Sequence, residues 1–240
     1  MDKNSTNYTF FFVFVLTLIV ALVLTGFRQF TEETAKKNEE IFNKRAILLA
    51  IQDHLPGGKT VDELSDDEVL SIFDNMKKYA VDSKGNIVEG VDPESINLEK
   101  EAKKDVSKRK MPLFVYENEG KKFYILAVRG KGLWDDIWGS IALEEDLNTV
   151  AGATFDHKGE TPGLGAEIKD NPDFAKQFKG RHILDDNGDF VSVAVRKGGA
   201  VDKVHEVDAI SGATITSRGV SKMLYEGMEF YEPYLKSLKK

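Results

Sequence analysis

Residues Thr9 to Phe27 read TFFFVFVLTLIVALVLTGF, a run without charge whose only polar side-chain atoms are threonine hydroxyls. A helix of this length covers roughly 28 Å, close to the hydrocarbon thickness of a bilayer. A cleaved signal peptide and a buried core helix are the alternatives. The run is longer than a usual signal h-region, only Lys3 supplies positive charge before it, and no Ala-x-Ala site follows. The reading is an uncleaved single-span anchor over residues 1–30, held in a lipid bilayer. Charge gives a weak orientation. Lys3 stands before the span, while Arg28, Lys36, Lys37, Lys44 and Arg45 follow it among glutamates. By the positive-inside rule the soluble part would face the cytoplasm.

The chain is long enough for an anchor and one ordinary domain. Hydrophobic residues make up 41% and charged residues 30%, a globular composition. The net charge of −7 argues against a nucleic-acid partner, because neutralising phosphates needs clustered Lys and Arg. The chain has no cysteine, which removes disulfides, thiolate zinc, iron–sulfur ligation and thiol nucleophiles. His54, His157, His182 and His205 are scattered without helical ligand spacing, so no metal site is expected.

Three segments follow from the pattern: the anchor, a helical stalk with a charged insertion over 31–111, and a third domain over 112–240. Residues 31–55 read as a polar helix that turns apolar towards its end and stops at Pro56-Gly57-Gly58. Ser65-Asp66-Asp67-Glu68 is a capping box that starts a second helix. Residues 82–111 carry few core residues and read as irregular. Leu113–Tyr116 and Phe123–Val128 flank Asn118-Glu119-Gly120 as a hairpin, with further strands at Ser140–Leu143, Thr149–Phe155 and Val191–Arg196. Asn171-Pro172 starts a short helix, and a last helix spans about 215–231. This order predicts an α+β fold with helices packed on an antiparallel sheet.

Three glycine-rich stretches carry the chemistry. In Ser211-Gly212-Ala213-Thr214, Gly212 permits a tight turn, and Thr214, Thr216 and Ser217 bring hydroxyls to the start of a helix. Free N–H groups and the positive dipole end favour an anion there. The residues alone leave two readings open, a phosphate site and an ordinary Ser/Thr N-cap. Gly159-Glu160-Thr161-Pro162-Gly163-Leu164-Gly165 fixes a bend with room beside it, and fits a ligand loop or a plain connection equally. Gly130-Lys131-Gly132-Leu133-Trp134 lines a pocket for a planar ligand or supplies core aromatics.

Together, in this order and behind a membrane span, Gly-Lys-Gly-Leu-Trp, Glu-Thr-Pro-Gly-Leu-Gly and Asp-x-x-Ser-Gly-Ala-Thr resemble the FMN-binding domain family of ion-pumping respiratory complexes. The resemblance covers nearly the whole chain and is nearest to the C subunits of sodium-translocating NADH:quinone oxidoreductases. The G subunits of ferredoxin:NAD complexes share the motifs, but the long stalk and the insertion near 82–111 favour the C type. The resemblance implies an electron-carrying subunit without a catalytic residue of its own. It implies FMN joined by a phosphoester to Thr214, placed there by a flavin transferase that reads Asp208, Ser211, Gly212 and Ala213. Thr216 would help hold the phosphate. Glu160, Thr161, Leu164 and Gly165, with Leu133 and Trp134, would lie against the flavin. It further implies partner subunits for the NADH, quinone and sodium chemistry. The flavin domain is expected on the periplasmic side of the inner membrane, against the weak charge signal.

Overall fold

The computed structural model describes residues 6 to 239. Lys3, the basic residue ahead of the span, lies outside them. The chain divides into two compact units, one up to Asn43 and one from Lys44.

The first unit is a single helix, part of α1 (Thr6–Leu48). This helix is long and apolar enough to cross a membrane, and none of its apolar window is buried. A core helix would bury that window, so the buried-helix alternative falls. Thr17 Oγ1 donates to the Val13 carbonyl at 2.8 Å, and Thr31 Oγ1 to the Phe27 carbonyl at 3.0 Å. Such back-bonding pairs the Thr17 hydroxyl proton within the helix itself. Span and stalk are continuous in α1, because nothing between them breaks a helix.

The second unit begins where two adjacent cations tie the end of α1 down. Lys44 Nζ pairs with Glu94 at 3.0 Å, and Arg45 donates to the carbonyls of Val61 and Leu64 at 2.7 and 2.8 Å. Next comes α2 (Asp66–Asn75), opened by the expected capping box. Ser65 Oγ accepts from the Glu68 N–H and Glu68 returns the bond to the Ser65 N–H. Strand β1 (Lys77–Asp82) follows, then α3 (Leu98–Ala102), then β2 (Lys110–Asn118), β3 (Lys121–Lys131), β4 (Asp136–Leu143) and β5 (Val150–His157). These form an antiparallel five-stranded sheet in the order β1-β2-β3-β4-β5.

The compact unit and its sheet therefore start well before residue 112, where the sequence reading opened its third domain. β1 escaped that reading because it is an edge strand opening on Lys77-Lys78, without clear apolar alternation. The hairpin between β2 and β3 is as expected. Its two loop residues, Glu119 and Gly120, have φ of 51° and 77°, the left-handed pair that suits the twist of the flanking strands.

Alternation along β2 and β3 feeds two cores. Phe114, Tyr116, Phe123 and Ile125 pack with Leu48, Ile51, Val69 and Phe73 on one face. Leu113, Val115, Leu126 and Val128 pack on the other with Val220, Met223, Leu224 and Met228 of α6 (Thr214–Leu238). Before α6 come α4 (Glu167–Asp170), α5 (Pro172–Lys176), and the short parallel pair β6 (Ala194–Arg196) and β7 (Glu206–Asp208). The strand expected over 191–196 is shortened because Ser192 takes φ 65°. The last helix runs past 231, through Pro233.

Three glycines bring α6 close to β3. A Cβ on Gly219 would stand 2.3 Å from the Lys131 carbonyl oxygen. One on Gly227 would meet the Val128 side chain at 2.7 Å, and one on Gly130 the Met223 side chain at 2.7 Å. Tyr231 adds a buried anchor, its hydroxyl within 2.8 Å of the Pro112 carbonyl and 3.1 Å of that of Ala127. The beginning of α6 is thereby fixed against the loop that follows β3.

Candidate functional site

Three loops meet at the beginning of α6. The first, between β3 and β4, turns tightly, with the Gly132 N–H donating to the Asp135 carbonyl at 2.9 Å. Its base is closed by Arg129 and Lys131, which both pair with Asp136. The second, after β5, holds Glu160 to Gly165. The third carries Asp208 to Ala213 into α6.

Glu160 joins them. It is only 4% exposed. One oxygen accepts from the Trp134 N–H at 2.9 Å, and the other from the Thr216 hydroxyl at 2.6 Å. Its own N–H donates to His157 Nδ1 at 3.1 Å. Burial pushes the Glu160 carboxyl up, but bonds from the Thr216 hydroxyl and the amides of Trp134, Asp135 and Leu133 outweigh it and hold it below the ordinary range. Two glycines make room for this carboxylate. A Cβ on Gly132 would lie 2.5 Å from Oε1, and one on Gly165 would lie 2.3 Å from Oε2. Trp134 Nε1 also donates to Thr161 Oγ1 at 3.1 Å, and Leu164 would meet any Cβ on Gly212 at 2.7 Å.

The four hydroxyls around Gly212 have different fates. Thr216 and Ser217 are buried, and each is engaged, Thr216 with Glu160 and Ser217 Oγ with the Ile210 N–H at 3.3 Å. Thr216 was expected to contact a phosphate, but its proton is already committed to Glu160. Ser211 is exposed and lies ahead of Gly212, whose φ of 77° turns the chain into the helix. Thr214 is the first residue of α6, half-buried, with no side-chain hydrogen bond among the described residues. Ala213 precedes it and supplies no side-chain cap. The first N–H groups of a helix have no partner within it, so this end offers unoccupied donors and a positive dipole.

Apolar side chains flank the same place. Leu133, Trp134, Leu164 and Ile215 are 46%, 69%, 42% and 55% exposed, more apolar surface than folding alone would leave open on adjoining loops. An open groove of about 350 Å³ is lined by Ser211 together with Gly163, Glu167, Asn171, Gln177 and Asp208. Asp208 is part of the frame. Its N–H donates to Gln177 Oε1 at 2.8 Å, and its carboxylate accepts from the Ala200 N–H at 2.7 Å. Sequence reasoning missed Gln177 and Gly219, and the room Gly132 leaves for Glu160, because these depend on contacts between distant segments. The expected residues Leu133, Trp134, Glu160, Thr161, Leu164, Gly165, Gly212 and Thr216 are linked by the contacts described above.

A family model of the FMN-binding domain matches residues 132–229. The C subunit of the Na(+)-translocating NADH-quinone reductase of Pseudomonas aeruginosa is 31% identical, over 100% of this chain and 98% of that protein. Its counterpart from Neisseria meningitidis serogroup B is 32% identical, over 99% and 96%. The chain belongs to this family of C subunits. The crystal structure of the Parabacteroides distasonis member shares its fold with a TM-score of 0.73 at 37% identity, covering 85% of this chain and 96% of that one. That of Shewanella oneidensis NqrC gives 0.68 at 29% identity, covering 85% and 99%. The sheet and its covering helices are thus the α+β family fold, with one long apolar helix ahead of them among the described residues. The matched FMN-binding segment contains every contact of the Glu160 carboxylate and the first two-thirds of α6.

The lowered Glu160 pKa has a pH signature. A carboxylate whose folded value lies below its unfolded value stabilises the fold above the unfolded value, 4.5, and loses this as pH falls through the lower folded value. The melting-temperature difference between wild type and Glu160→Gln should therefore be constant above about pH 5 and shrink in more acid solution. A difference that stays flat down to pH 3 would show that Glu160 is not held ionised.

Proposed function

We propose that this chain carries FMN, joined through its phosphate to Thr214, and relays electrons within the sodium-translocating NADH:quinone reductase. Membership of the family makes the chain a subunit of that oxidoreductase complex. The observation that carries the finer reading is Thr214 itself: a half-exposed, unbonded hydroxyl on the first residue of an uncapped helix. The fit to FMN is chemical. A phosphate on Thr214 would face the unpaired amides at the beginning of α6, and Leu133, Trp134 and Leu164 would take the flat apolar ring.

Attachment is a phosphoryl transfer. The Thr214 oxygen forms a bond to the phosphorus of the FMN half of FAD, the pyrophosphate bond breaks, AMP leaves and the hydroxyl proton is lost. No oxidation state changes. The transferase supplies the FAD and would read Asp208 to Ala213. The flavin, once bound, supplies the electron-transfer chemistry. The chain's own residues hold it: Thr214 as tether, the first amides of α6 on the phosphate, and the three loops beneath. A covalent tether suits a relay that must keep its cofactor through every turnover. NADH oxidation, quinone reduction and the sodium path belong in this reading to partner subunits.

The test is the tryptic peptide Val204–Arg218 of protein made together with its transferase. It should carry the mass of one FMN less water, localised to Thr214 by fragmentation. A peptide found unmodified, in protein whose partners are active, would overturn the reading.

The flavin domain is proposed to lie on the periplasmic side of the inner membrane. The basic residues after the span are a poor guide, because Lys44 and Arg45 are bound into the second unit by Glu94 and Asp66. The chain has no cysteine, so one placed at Val201, 81% exposed, is unique. A membrane-impermeant maleimide should label Val201→Cys in intact cells. Labelling only after lysis would reverse the orientation.

A further inference from the structure

We infer that Glu160 is a positioning residue, which braces the beginning of α6 from the side so that its first amides and the Thr214 hydroxyl stay free for the flavin phosphate. The inference rests on the Thr214 reading and adds how the acceptor is made ready.

An ordinary helix end is secured by a Ser, Thr, Asp or Asn cap whose oxygen takes one of the first N–H groups. Here Ala213 stands in the cap position and gives no such bond. A cap would occupy the donors that a phosphate needs. The helix end is instead secured through Thr216, one turn in, whose hydroxyl donates to Glu160 at 2.6 Å. The same carboxylate accepts from the Trp134 N–H, so the end of α6 and the loop after β3 are locked as one piece. A buried anion beside a helix N-terminus also offsets the positive dipole end, as a cap would.

The surroundings are shaped for this bond. Gly132 and Gly165 lie so close to the two carboxylate oxygens that a methyl on either would meet one at 2.5 or 2.3 Å. A methyl on Gly165 would also stand 2.6 Å from the Thr216 hydroxyl. Neither glycine has a left-handed φ. Their lack of a side chain therefore answers to space and not to backbone conformation. Because both of its oxygens are engaged by protein donors, Glu160 acts on the flavin through Thr216 and the Trp134 loop.

Three substitutions break the brace in different ways. Glu160→Ala removes the acceptor, Thr216→Val removes the donor, and Gly165→Ala displaces the carboxylate without changing any charge. Glu160→Gln is the conservative control. Its amide oxygen can still accept from Trp134, and its NH2 can donate to the Thr216 oxygen.

The full-length chain, purified in detergent, is incubated with the transferase and FAD, and covalent flavin is followed by in-gel fluorescence. Wild type tests the Thr214 reading by itself. If that succeeds, the three disruptive variants should each be modified about tenfold more slowly or worse, the size expected for one hydrogen bond to a charged group. Glu160→Gln should keep most of the rate. Glu160→Ala combined with Thr216→Val should be no slower than Glu160→Ala alone, since the bond that Thr216→Val cuts is already lost with the carboxylate. Circular dichroism confirms that each variant compared is folded at the assay temperature. Should Glu160→Ala misfold, Thr216→Val and Gly165→Ala carry the test. Folded disruptive variants modified at the wild-type rate would overturn the inference while leaving Thr214 as the acceptor. So would a Glu160→Gln chain as slow as Glu160→Ala.

Discussion

Replacing Thr214 with valine should remove all covalent flavin from the chain and leave its fold intact. Valine has nearly the shape of threonine. The hydroxyl it deletes has no side-chain hydrogen bond among the described residues and is half-exposed. Threonine and valine have similar helix propensities, so stability should change by no more than about 0.5 kcal/mol. None of the neighbouring hydroxyls is placed to substitute. Thr216 and Ser217 are 1% and 2% exposed, and each is held by a hydrogen bond. Ser211 lies before the turn at Gly212, away from the amides that begin α6. In-gel fluorescence of the purified chain should fall to background. Membranes carrying the complex should lose NADH-driven quinone reduction, although the proposed reading assigns NADH and quinone to partner subunits. Flavin fluorescence that survives in Thr214→Val would assign the tether to another residue.

The motif around Thr214 was legible because its chemistry is local. A glycine, small residues and hydroxyls at a helix start can be read along a single stretch. The span, the Ser65 capping box and the Glu119-Gly120 hairpin were legible for the same reason. The roles of Glu160 and Thr216 were not. In sequence each reads as a polar residue near a ligand. Only folding across 56 positions shows that they bind each other. Gly132 and Gly165 read in sequence only as members of glycine-rich loops, while in the fold they flank a carboxylate, and Gly219 admits a strand carbonyl. β1 was hidden for a different reason. An edge strand whose first residues are lysines lacks the apolar alternation that marks a strand, and pairing with β2 decides its conformation. β6 and β7, of three residues each, are too short to show a period.

Gly219→Ala should be the most damaging small change in α6, although alanine is the better helix former. Its propensity gain is about 1 kcal/mol. Against it stands the Lys131 carbonyl oxygen, 2.3 Å from the new methyl, with the Gly132 Cα at 3.3 Å. These are backbone atoms at the end of a central strand and cannot rotate away. A methyl on Gly227, the other glycine of α6 that faces β3, instead meets Val128 Cγ1 at 2.7 Å, an atom that a rotamer change can move, and its contacts with atoms fixed by the backbone are no shorter than 3.0 Å. Overpacking of this kind costs about 1–3 kcal/mol. The balance is a net loss of up to about 2 kcal/mol once the propensity gain is subtracted. The backbone can relieve the clash only by moving the first turn of α6 away from β3, which draws Thr216 from Glu160. Denaturation of the full chain in detergent should show the lost stability, and flavin attachment should fall even where the variant is folded. Gly159→Ala is the matched control. Its methyl would meet nothing within 4 Å and its φ is not left-handed, so its stability should stay within about 0.5 kcal/mol. If Gly219→Ala matched this control in both stability and flavin attachment, the contact between α6 and β3 could not be what sets the acceptor in place.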